Sequence, residues 1–83
     1  MKYFLVKEEG NYCGYDDEYL IKTDKDEKAA DDFACEHADE RSIEEADFYL
    51  EEDEELHIGF DMEEITEEQF NEYVKKEYSV YDV

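Results

Sequence analysis

Net charge is the feature that most restricts how this chain can fold. Its 83 residues include 29 acids and eight lysines and arginines, giving a formal net charge of −21. Repulsion between like charges opposes compaction, and low hydrophobicity combined with high net charge is typical of disorder. However, 41% of the residues are apolar and 16% are aromatic. We therefore expect one folded domain over residues 1–83.

The charge is concentrated in the second half of the chain. Residues 1–41 carry 13 acids and six bases, a net charge of −7, whereas residues 42–83 carry 16 acids and two bases, a net charge of −14. Residues 42–74 contain 14 acids and no Lys or Arg. This distribution predicts a surface of a single sign on the folded domain.

Several segments have the composition of β-strands. Residues 2–8 and 18–23 are rich in aromatic and branched side chains, and the turn-rich residues 10–14 between them predict a hairpin. In residues 56–62 the apolar side chains alternate, so that they share one face: Leu56, Ile58, Phe60 and Met62. Residues 79–83 are suited to a short edge strand.

A first helix is expected over about residues 25–39, because its apolar residues recur with helical spacing. Asp24 and Glu27 form a capping-box-like start. One face of the helix then carries Ala29, Ala30, Phe33, Ala34, Cys35 and Ala38.

A second helix begins at Thr66, which forms a capping box with Gln69. Ile65 precedes this cap and Phe70 occupies the fourth helical position, which predicts a hydrophobic staple. Tyr73 and Val74 continue the inner face, and the helix is expected to reach about Tyr78.

The segment between the two helices is ambiguous. Ser42 and Glu45 predict another capping box with a short helical turn near residues 43–46. Residues 46–52 fit a helix or a strand, and we favour a strand. The predicted fold is therefore a small α+β domain of order ββα-ββα, with an antiparallel β-sheet and two helices on one side.

The chain has no motif that predicts an enzyme, a metal site or a bound cofactor. No Gly-rich phosphate loop is present, and the acidic clusters lack the residues of a calcium-binding loop. The candidate zinc ligands are scattered along the chain: Cys13, Cys35, His37 and His57. We expect a protein that is not an enzyme and carries neither metal nor cofactor.

The start of the chain does not predict export or membrane insertion. Only four apolar residues follow Lys2 in a row, which is too few for a signal-peptide core. No segment approaches the length of a membrane span. We expect a cytoplasmic protein, with no membrane partner and with cysteines that are reduced thiols.

Three sets of carboxylates are candidate contacts with a partner. The central set is the acidic run Glu51, Glu52, Asp53, Glu54 and Glu55. Helical spacing is expected to align Glu64, Glu68 and Glu72 in a second set, and Asp32 and Glu36 in a third. Rows of carboxylates spaced by about 6 Å, one helical turn, have a scale similar to that of nucleic-acid phosphates.

In size, in the run EEDEE and in the stretch DMEEITEEQFNEY, the chain resembles the DNA-mimic inhibitors of phages and mobile elements. These include anti-CRISPR proteins, anti-restriction proteins and the uracil-DNA glycosylase inhibitor. The resemblance implies a stoichiometric inhibitor that acts against host defence. It would block the basic DNA- or RNA-binding groove of a Cas effector or another nuclease, as a monomer or homodimer in the host cytoplasm, without binding nucleic acid itself.

Two other functions fit the same electrostatics. The first is an immunity protein or antitoxin that neutralises one cognate nuclease toxin. The second is a structural module from a halophile, in which a high negative charge maintains solubility at high salt.

Overall fold

The computed structural model describes residues 1–10, 16–49 and 58–83, with side chains omitted for residues 44–49. Within these ranges the elements follow the order ββαβαβ. Their bounds are β1 Lys2–Gly10, β2 Asp16–Thr23, α1 Glu27–Tyr49, β3 Ile58–Ile65, α2 Glu67–Lys75 and β4 Ser79–Asp82. The four strands form one sheet in the order β3-β1-β2-β4.

The sheet is mixed, and the prediction of a purely antiparallel sheet in the order ββα-ββα was wrong. β1 pairs antiparallel with β2 and with β3, but β4 pairs parallel with β2. The reason is the position of α2, which lies between β3 and β4 and carries the chain to the opposite edge. A helical crossover of this kind allows the next strand to enter parallel.

The two helices cover opposite faces of the sheet, whereas the sequence was interpreted with both on one side. Ala30 and Ala34 of α1 pack with one set of strand residues: Phe4, Val6, Tyr19 and Ile21. Phe70 of α2 packs with the alternate set: Leu5, Leu20 and Ile65. Both faces need cover because consecutive residues of β1 and β2 are apolar, and successive strand residues point to opposite faces.

The first helix is 23 residues long and extends well beyond the predicted end at residue 39. Asp26, not Asp24, caps its start, because the Ala29 N–H donates to Asp26 Oδ1 at 3.1 Å. Ser42 is not a cap: its hydroxyl donates to the Ala38 carbonyl at 2.8 Å and accepts from the Ile58 N–H at 3.2 Å. Residues 46–49 are accordingly helical and not a strand.

The start of α2 confirms the capping box and the staple. The Gln69 N–H donates to Thr66 Oγ1 at 3.1 Å, and the Thr66 N–H donates to Gln69 Oε1 at 3.0 Å. Ile65 and Phe70 are buried in one cluster. The helix ends at Lys75, three residues before the predicted Tyr78.

The core agrees with the sequence predictions in β3 and β4 but differs from them at two helical positions. Phe60 and Met62 of β3 share one face of the sheet, as predicted, and this is the face that α1 covers. Leu56 lies outside the described residues. Residues 79–83 do supply an edge strand, β4. Val74 and Cys35 were expected on inner helical faces but are exposed.

Candidate anionic binding surface

The outer surface of α1 carries a group of carboxylates. Ala30, Ala34 and Ala38 are buried against the sheet, because residues three or four apart share one face of a helix. The opposite face therefore points to solvent. It presents five exposed carboxylates, which we call the α1 ridge: Asp31, Asp32, Glu36, Asp39 and Glu40.

The linear charge density of the α1 ridge is close to that of a DNA strand. The ridge spans residues 31–40, which cover about 13.5 Å of helix axis at 1.5 Å per residue. The four intervals between these five carboxylates average about 3.4 Å along the axis, and successive phosphates of one strand of duplex DNA are also about 3.4 Å apart. Because the buried alanines hold this helix on the sheet, the spacing is fixed by the fold.

Few cations oppose this charge. Residues 31–40 contain no Lys or Arg. Lys28 forms an ion pair with Asp32 at 3.6 Å, and both side chains are mostly exposed. Exposed pairs of this kind contribute about 0–1 kcal/mol, so that Asp32 remains accessible to a stronger cationic partner. Arg41, one residue beyond the ridge, is half-buried.

The α2 side of the molecule has mixed charge. Exposed Glu67, Glu68 and Glu72 lie near two lysines. Lys75 pairs with Glu72 at 3.6 Å, and Lys76 lies over the Tyr73 ring at 5.6 Å. This surface is therefore less uniformly negative than the α1 ridge.

Part of the sheet on the α2 side is also charged. Lys7 of β1 pairs in register with Glu18 of β2 and Asp61 of β3, which gives an acid on each side of a lysine. The Tyr78 hydroxyl donates to Glu18 Oε2 at 2.9 Å. This hydrogen bond, with smaller contributions from burial and the charge of Glu18, raises the pKa of Tyr78 above its ordinary value.

The predicted contact residues do not form one surface. Asp32 and Glu36 belong to the α1 ridge, while Glu68 and Glu72 lie on α2, on the other side of the sheet. Glu64 does not continue a helical row with Glu68, because it lies in β3 and α2 starts only after Thr66. The acidic run at residues 51–55 lies outside the described residues, and its role stays a prediction.

Sequence reasoning left out several residues of the α1 ridge. Asp31, Asp39 and Glu40 were not among the candidate contacts. The spacing of Ala30, Ala34 and Ala38 could have identified these residues. It predicts which face of the helix is buried, and the acids on the remaining surface are then exposed.

No protein-family model, curated protein or solved structure matches the chain. Within the described ranges, no three His, Cys, Asp or Glu side chains are grouped so that they could hold a metal ion. No helix among those residues is long and apolar enough to cross a membrane.

Proposed function

We propose that this protein is a stoichiometric inhibitor that imitates nucleic-acid phosphates and occupies the basic DNA- or RNA-binding groove of another protein. The observation that supports the proposal is the α1 ridge, with about one carboxylate per 3.4 Å, the axial charge spacing of one DNA strand. The partner is a nuclease, such as a Cas effector, and the biological role is anti-defence by a phage. The protein acts by occupancy and not by catalysis.

Electrostatic complementarity explains how such an inhibitor binds. A Lys- and Arg-lined groove normally releases counterions from phosphates when it binds nucleic acid. Carboxylates held on a rigid helix satisfy the same cations, and a net charge of −21 steers the encounter. The ridge covers about 13.5 Å of the axis of this helix, which is the length of about four base-pair steps of duplex.

The proposal assigns the main contacts to the α1 ridge, and a pair of matched variants tests this. The ridge variant replaces its five acids by amides: Asp31→Asn, Asp32→Asn, Glu36→Gln, Asp39→Asn and Glu40→Gln. The opposite-face variant replaces five exposed acids on the α2 side: Asp61→Asn, Glu63→Gln, Glu67→Gln, Glu68→Gln and Glu72→Gln. Each raises the net charge by five, so that only the position of the charge differs.

Tagged wild-type protein and both variants are used to capture partners from bacterial lysate, and the captured protein is then purified for titration. We expect the opposite-face variant to bind nearly as well as the wild type. The ridge variant should lose at least about tenfold in affinity, or 1.4 kcal/mol. Equal losses in both variants would indicate a nonspecific polyanion, and a loss confined to the opposite-face variant would move the interface to α2.

A further inference from the structure

A buried carboxylate lies beneath α1, outside the surface described above. Glu8 of β1 points to the same face as Phe4 and Val6 and has no exposed surface. Its Oε2 lies 3.1 Å from Nδ1 of His37 on α1. Its other oxygen, Oε1, is buried and makes no hydrogen bond within the described part of the chain. Such a group is costly to keep ionised unless a positive charge compensates it.

Aromatic rings enclose the imidazole of His37, whose side chain is only 12% exposed. The ring centroids of Tyr19, Phe33 and Tyr81 lie 4.6, 5.8 and 5.2 Å from that of His37. These rings come from β2, α1 and β4. The Glu8–His37 pair is therefore a junction at which β1, β2 and β4 meet the first helix.

Among the described residues of the sheet, neither register partner of Glu8 supplies a positive charge that could compensate its carboxylate. Asp17 of β2 is the direct register partner of Glu8 on the same face, and two carboxylates placed opposite each other repel. The register partner on β3, Phe60, is apolar.

On the helix side, Glu40 and Arg41 border a depression of about 300 Å³ together with His37 and Tyr81. One acid and one base therefore face His37 from its own helix. The titratable groups that β2 and β4 contribute around the imidazole are the phenols of Tyr19 and Tyr81.

Only two protonation arrangements leave the pair neutral. In one, an imidazolium donates to an ionised carboxylate; in the other, a protonated carboxyl donates to a neutral imidazole. Both contain one proton more than an ionised Glu8 beside a neutral His37, which would be a buried net charge opposite Asp17. The pair binds this proton as a unit, whichever residue carries it.

We propose that Glu8 and His37 form a proton-linked clamp that holds α1 on the sheet. The folded protein keeps the shared proton at pH values where the unfolded chain has released it, and loss of the proton loosens the packing of α1, β1 and β4. The clamp is a property of the fold and does not depend on what the α1 ridge binds.

The direction of the pH effect follows from proton counting. In an unfolded chain, glutamate releases its proton near pH 4.3 and histidine near about 6.5. Above about pH 6.5 the folded protein therefore binds more protons than the unfolded chain, and its stability falls as the pH rises. When the folded state binds one proton more than the unfolded state, the equilibrium constant for unfolding increases about tenfold for each unit by which the pH rises.

Denaturant unfolding between about pH 6.5 and 8.5 tests the clamp, since Asp, Glu, Lys and Arg scarcely titrate in that window. Glu8→Gln keeps the shape of the side chain but removes the linked proton. His57→Asn is the matched control, because it removes the other histidine. All three proteins share the same amino terminus and cysteines, whose titration cancels in the comparison.

We expect the unfolding constant of the wild type and of His57→Asn to rise about tenfold per pH unit over part of this window, and that of Glu8→Gln to stay flat. A flat wild-type profile, or an equal slope in Glu8→Gln, would overturn the proposal. If Glu8→Gln does not fold, nuclear magnetic resonance on the wild type decides. An ionised Glu8 beside a neutral His37 at about pH 7.5, with α1 still packed on the sheet, would overturn it too.

Discussion

At the scale of single residues, the end of α2 contains a conformation that its side chain does not favour. Glu77 has φ of 67°, in the left-handed region. The Glu77 N–H donates to the Val74 carbonyl at 3.0 Å and the Tyr78 N–H to the Tyr73 carbonyl at 3.3 Å, and the Tyr73 and Tyr78 rings lie 4.9 Å apart. This is the common C-terminal helix motif, in which glycine usually occupies the left-handed position.

Replacing Glu77 should therefore stabilise the fold. Glu77→Gly removes both the steric cost of the left-handed conformation and a negative charge at the negative end of the helix dipole, which together amount to about 1–3 kcal/mol. Urea unfolding measures the change. Glu77→Gln is the matched control, since it removes only the charge. If the two variants were equally stable, the left-handed backbone would cost nothing, and the argument from conformation would be wrong.

The sequence alone predicted few of these residue-level features. Glu8 continues the alternation of Phe4 and Val6, which places it on the buried face, but its charge argued for exposure. Only the packing of His37 against it accounts for the burial. The left-handed Glu77 carries no local signal, because neither glycine nor asparagine marks the position.

At the scale of elements, Ser42 joins α1 to β3. Residues with short hydroxyl side chains are found both at helix caps and inside helices, where the hydroxyl bonds to the carbonyl four residues earlier. The predicted cap at Ser42 was wrong for this reason, and the predicted end of α1 was wrong with it. The capping box of α2 was predicted correctly because Thr66, Gln69 and a hydrophobic staple all indicate the same boundary.

Ser42→Ala should loosen the connection between α1 and β3. The substitution leaves the Ile58 N–H without its hydroxyl acceptor, which costs about 1–2 kcal/mol of unfolding free energy. Hydrogen exchange at the Ile58 amide should become faster than in the wild type. Ser79→Ala, at an exposed position of β4, is the control and should change neither quantity. An unchanged exchange rate at Ile58 in Ser42→Ala would contradict the assigned hydrogen bond.

At the scale of the whole molecule, the distribution of charge in space differs from its distribution along the chain. The second half of the sequence is the more acidic one, with a net charge of −14. Alternation nevertheless places Lys7 and Lys22 of the first half on the α2 side of the sheet, near the acids of the second half. The more uniform anionic surface is on α1, which a count along the sequence does not predict.

The prediction of an α+β domain was correct at the coarse level because strands and helices have different apolar periods. The arrangement of the helices was not predicted, although the adjacent buried residues Phe4, Leu5 and Val6 required cover on both faces. Acidic residues on a surface have no period of their own. Their grouping into the α1 ridge therefore depends on which helical face is buried.

The most direct test of the central claim is competition between this protein and duplex DNA for one partner. The tagged protein captures its partner from lysate, and the complex is then washed with duplex DNA at constant ionic strength. The account predicts that DNA releases a single nucleic-acid-binding protein, because both ligands occupy the same basic groove. Release by added salt but not by DNA, or capture of many basic proteins alike, would contradict the claim that the α1 ridge imitates a nucleic acid.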